Sequence, residues 1–93
     1  MELERLAATV LRNFDALKRL LAERAICNED EIVIFDDPLK VVVKRDRIEF
    51  YIDDEFRGFV NEGVSRLDEE VAREAELWLR AMSSLKFKRY TPR

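Results

Sequence analysis

The chain has 93 residues, 47% of them hydrophobic and 40% charged, and its 20 acids against 17 bases leave a net charge of −3. That length suits one domain over residues 1–93, and so small an imbalance beside so much apolar residue excludes a disordered polyelectrolyte. With no His, one Cys (Cys27) and two Gly, the chain lacks the means for an intrachain disulfide, a cysteine zinc site, a histidine-based catalyst or a glycine-rich phosphate loop.

No stretch of about 18 apolar residues predicts a membrane span. The opening MELERLAATV carries acids in a helical pattern and does not read as a signal peptide. The expected location is the cytoplasm. Abundant Glu and Arg with no Gln match a thermophile-like composition. No cofactor or metal is implied, and the expected role is not enzymatic.

Residues 2–26 read as one helix. Leu3, Ala7, Val10, Phe14, Leu17 and Leu21 recur at spacings of four and three. Such a helix is about 36 Å long, as long as the whole domain is wide, and Asn28 is its expected C-terminal cap. Ile32–Phe35 form a continuous apolar run, the pattern of a strand covered on both faces. Asp36-Asp37-Pro38 is a turn, residues 39–44 a second strand, and residues 47–53 a third, in which Ile48, Phe50 and Ile52 alternate with Glu49, Tyr51 and Asp53. A hairpin sets Val43 beside Ile48, Val41 beside Phe50 and Leu39 beside Ile52. Residues 55–60 offer a fourth strand. A second helix starts near Asp68, a good N-cap, and ends near Ser83-Ser84. Residues 85–93 form a basic tail or a terminal strand.

The expected fold is α+β: a two-layer sandwich of a three- or four-stranded antiparallel meander between an N-terminal and a C-terminal helix. Both helices need the same sheet face. Val33, Phe35, Val42 and Tyr51 point to the other one. Burying each such side chain is worth about 1.5–3 kcal/mol, and an uncovered apolar patch marks an interface. With the long first helix, this predicts a homodimer with intertwined strands or helices.

Charge is segregated along the chain. Residues 1–28 carry +1, residues 29–62 carry −6 and residues 63–93 carry +2. The acidic sheet region points to a small homodimeric adaptor that binds a basic protein or peptide. Its candidate contacts are Asp36, Asp37, Glu49, Asp53, Asp54 and Glu55. Two alternatives stand beside it. Lys86, Phe87, Lys88, Arg89, Tyr90 and Arg93 interleave bases with aromatics, as nucleic-acid contacts do, although the acidic balance makes nucleic acid the weaker partner. Asp36, Asp37, Asp53 and Asp54 would suit a Mg²⁺-dependent hydrolase if the ends of the first and third strands met; the plainer role for these aspartates is in turns.

Overall fold

The N-terminal segment folds as two helices, not one. The computed structural model describes residues 2–85. Helix α1 spans Glu2–Arg12 and α2 spans Phe14–Leu20. Asn13 separates them: its backbone (φ −112°, ψ 29°) is not helical, and its side-chain amide donates to the Thr9 carbonyl at 2.8 Å. Asparagine competes for backbone partners in this way and interrupts helices. The buried stripe of Ala7, Val10, Phe14 and Leu17 continues across the break, so the apolar spacing gives no sign of it. Arg24 and Ala25 then both donate to the Leu21 carbonyl, and the chain turns into the sheet. The single helix of about 36 Å, and the argument for a dimer built on its length, are therefore corrected.

The sheet has six antiparallel strands in sequence order: β1 (Ile26–Cys27), β2 (Glu31–Asp36), β3 (Leu39–Lys44), β4 (Ile48–Ile52), β5 (Glu55–Val60) and β6 (Ser65–Leu67). The β3–β4 register pairs Val43 with Ile48, Val41 with Phe50 and Leu39 with Ile52, as the alternation requires. The fourth predicted strand exists as β5. Two edge strands extend the expected three or four to six. Asn28 is no helix cap: it sits in the β1–β2 turn, where its N–H donates to the Glu31 carbonyl and its Oδ1 accepts from the Asp30 N–H.

Helix α3 spans Glu69–Ser83. Asp68 holds the predicted N-cap position without a side-chain cap bond; its carboxylate lies 3.6 Å from Arg57. The three helices cover one sheet face. Ile32, Ile34, Val41, Val43, Ile48 and Phe50 meet the buried stripes of α1, α2 and α3 there in one core. The other face is open among the described residues. β2 is thus covered on one side only, and Phe35 is 62% exposed, against the expectation of a strand covered on both.

Candidate interaction surfaces

The open face is built from the alternate residues of each strand. The register places Ile26, Val33, Val42, Glu49 and Phe59 in one row across the sheet, and Phe35, Lys40, Tyr51 and Phe56 in the next. The four residues expected at a dimer interface do lie together here, but unequally. Val42 is 7% exposed, Val33 and Tyr51 are half-buried, and only Phe35 stands out in solvent. Long cationic side chains account for part of this. Lys40 Nζ lies 4.8 Å above the Tyr51 ring, and the Arg47 guanidinium 5.0 Å above that of Phe59. Tyr51 also meets Phe56 edge to face at 5.5 Å.

Glu49 does not present its charge to a partner. It is 2% exposed. Arg47 Nη2 reaches its carboxylate at 2.6 Å and Lys44 Nζ at 3.6 Å, and the Tyr51 hydroxyl donates to it at 2.8 Å. Burial, and then this hydrogen bond to Glu49, raise the Tyr51 phenol above its ordinary pKa of 10.0. Glu49 thereby leaves the group of six acids read as partner contacts.

The other five converge. Asp36 ends β2 and Asp37 follows it in the β2–β3 turn, the β4–β5 turn carries Asp53 and Asp54, and Glu55 opens β5. Both turns lie at one end of the sheet, where the Asp53 N–H donates to the Pro38 carbonyl at 3.1 Å. Asp53 and Asp54 both have positive φ, 51° and 66°, which aspartate tolerates better than most residues. Asp54 pairs with Lys40 at 3.1 Å and Glu55 with Arg57 at 2.9 Å. Asp36 accepts from the Trp78 Nε1–H at 3.3 Å. Among the described residues Asp37 and Asp53 have no cationic partner. They line a cleft of about 290 Å³ with Phe35, Pro38, Lys40 and Asp54.

These carboxylates share an end without gathering around a point. Among the described residues no three His, Cys, Asp or Glu side chains are grouped to hold a metal ion, so the Mg²⁺ arrangement of Asp36, Asp37, Asp53 and Asp54 does not form. The basic candidates Lys86, Phe87, Lys88, Arg89, Tyr90 and Arg93 lie outside the described residues. No helix among the described residues is long and apolar enough to cross a membrane.

Exposed apolar groups that strand and helix alternation did not single out border the acidic end. Phe56 on β5 is 51% exposed and Leu77 on α3 is 60% exposed. Leu77 is legible in principle: it is an apolar residue off the Val71, Ala75, Leu79, Met82 stripe that α3 buries.

What emerges is an α+β protein with helices on one face of an open six-stranded sheet and a carboxylate-rich end flanked by exposed aromatic and aliphatic groups. The chain belongs to the Archaeoglobi AF1636 family, which it matches over residues 1–93. It is similar to a protein of Archaeoglobus fulgidus described as uncharacterized, with 54% identity over 91 residues that cover 98% of this chain and 99% of the relative. No solved structure matches it.

Proposed function

We propose that this chain is a protein-interaction module whose acidic sheet end receives a basic segment of a partner protein. The observation that supports this is the meeting of two aspartate turns beside a cleft, with Asp37 and Asp53 lacking a cationic partner among the described residues. Opposite charge steers a basic partner to such a surface and rejects acidic ones. In this reading the protein is a non-enzymatic, cytoplasmic adaptor. A fluorescent lysine-rich peptide tests it by anisotropy. Binding should weaken as salt rises from about 50 to 500 mM, because screening shortens the reach of exposed charge. The double variant Asp37→Asn, Asp53→Asn should weaken binding several-fold, since each exposed charge contributes about 0.2–1 kcal/mol. Asparagine keeps the left-handed turn at position 53 accessible. Binding indifferent to both salt and the variant would remove the proposal.

A second reading, self-association through the open face, is favoured by three apolar side chains there: Ile26, Phe35 and Phe56 are each more than half exposed. It makes the protein a homodimer. Light scattering should then give twice the chain mass at micromolar concentration, and Phe35→Ser with Phe56→Ser should return it to one. A single-chain mass for the unaltered protein would refute it.

A further inference from the structure

Strand β2 is paired along its whole length by β3 but only in part by β1. The β1 register runs from Cys27–Ile32 to Ile26–Val33 and stops there, because Ala25 and Arg24 are already bound back to Leu21. Among the described residues, Ile34–Asp36 therefore has no strand on its outer side. The direction of the free groups follows from the turn. The Asn28 N–H closes the β1–β2 hairpin on the Glu31 carbonyl at 2.9 Å. Hydrogen-bonded positions recur every second residue in an antiparallel ladder, so Val33 and then Phe35 direct their N–H and C=O toward the β1 side. At Phe35 no β1 residue stands opposite.

An open edge of this kind is a template for an added strand. Here it is flanked on both faces. On the helix side, Asp36, Glu74, Leu77, Trp78 and Ala81 form a groove of about 240 Å³. On the open side stand Ile26 and Phe35, 63% and 62% exposed. The groove has apolar walls with two carboxylates at its rim. That combination matches lysine or arginine, whose stems cover apolar surface while their heads reach carboxylates. A second copy of this chain fits worse. Pairing two β2 edges would bring two Asp36-Asp37 pairs close to one another, and like charges on neighbouring strands repel.

We infer that the free half of β2 accepts an extended basic segment of a protein partner as a seventh strand. Its cationic side chains would enter the Trp78 groove and the alternate apolar ones would cover Ile26 and Phe35. This rests on the proposed recognition of a basic partner and adds backbone pairing at a defined edge.

Trp78 is the only tryptophan, so its fluorescence reports on the groove directly. The probe is a short synthetic peptide alternating lysine with valine and leucine, together with two forms N-methylated at alternate residues, one for each register. The parent peptide should shift Trp78 emission and slow hydrogen exchange of the Phe35 amide. One N-methylated form should bind at least tenfold more weakly, and Leu77→Arg, a change at an exposed position, should weaken the parent by a similar factor. If both N-methylated forms bind like the parent, the edge inference is overturned. Should that binding still respond to salt and to Asp37→Asn with Asp53→Asn, the acidic-end reading survives alone. Salt-independent binding that N-methylation abolishes supports strand addition and removes the charge reading instead. Absence of peptide binding at millimolar concentration overturns both. Phe35 protection that grows with protein concentration, without peptide, identifies a second copy as the occupant and overturns the inference.

Discussion

Glu49 carries its carboxylate on the side of the sheet that no described helix covers, and yet water hardly reaches it. Removing a carboxylate from water costs several kcal/mol unless partners replace the lost hydration. Arg47, Lys44 and the Tyr51 hydroxyl do so here. The arrangement predicts an asymmetry. Arg47→Met leaves the buried acid short of its nearer cation and should cost about 3 kcal/mol in urea unfolding. Glu49→Leu leaves two half-exposed cations that can turn to water, and should cost about 1 kcal/mol or less. Equal costs would mean that Glu49 is not held as described. Tyr51 gives an independent readout. Its pKa is raised, so the folded state holds the phenolic proton more tightly than the unfolded state does. The stability linked to keeping this phenol protonated, which comes first from its burial and then from its bond to Glu49, is complete below pH 10 and is lost as pH rises through the folded value. Glu49→Gln should lower the Tyr51 pKa toward, though not to, the ordinary value, because burial contributes as well. Tyrosinate absorbance in a Tyr90→Phe background measures it, as the chain has two tyrosines. The alternation of residues 47–53 assigns Glu49 correctly to the face away from the helices. What it cannot carry is the convergence of Lys44, Arg47 and Tyr51 on one carboxylate, which depends on the β3–β4 pairing.

Among the elements, β5 shows how one residue redirects a strand. Its pairing with β4 shifts between Phe50–Gly58 and Tyr51–Phe56, which leaves Arg57 as the extra residue of a bulge. Bulges re-aim side chains, and Arg57 is re-aimed at Glu55, Asp68 and Glu70, joining the strand to the start of α3. Gly58 makes this possible. At φ 134°, a Cβ there would collide with the Arg66 carbonyl oxygen and lie 2.8 Å from the Leu67 Cα of β6. Gly58→Ala should destabilise by at least about 1–3 kcal/mol, from overpacking together with the unfavourable φ, and thermal unfolding would register it. An unchanged midpoint would contradict this backbone contact. Element length and regularity also decide what is legible in the sequence. The β3–β4 hairpin was legible because its alternation is long and clean. β1 and β6 have two and three residues, too few to show a period. The Asp53-Asp54 turn lacks the glycine that usually marks positive φ. Asn13 interrupts a helix while leaving its apolar spacing intact.

At the scale of the molecule, the −6 of residues 29–62 does not form a single patch. Asp36, Asp37, Asp53, Asp54 and Glu55 occupy one end of the sheet, while Glu29, Asp30, Asp46 and Glu62 lie in the turns at the other. No sequence count could separate the two ends, because that division follows from strand direction. At the second end, Arg45 joins the two layers. Its guanidinium sits 4.5 Å from the Phe14 ring centre, reaches Asp15 and Asp30 at 3.1 Å, and donates to the Glu29 carbonyl at 2.8 Å. The hydrogen bond from Arg45 holds the Asp15 carboxyl below its ordinary value of 3.8. A depressed carboxyl pKa stabilises the fold above the unfolded value, and that contribution is lost as pH falls through the folded one. Asp15→Asn should therefore flatten the stability profile below about pH 4, as followed by circular dichroism across an acid titration. A variant with an unaltered acid limb would show that Arg45 does not couple to Asp15 in solution.

The uninterrupted strand order β1-β2-β3-β4-β5-β6 has a kinetic consequence. Every strand pairs with its neighbour in sequence, so sheet formation closes only short loops and meets little of the entropy barrier that slows non-local β proteins. The distant event is the packing of α1 on α3, which brings the first and last described helices together. Stopped-flow refolding should place core truncations in the β3–β4 hairpin, such as Val41→Ala, mainly on the folding rate. Ala75→Gly and similar changes between α1 and α3 should act mainly on unfolding, so that the meander forms first and the docking of α1 on α3 follows.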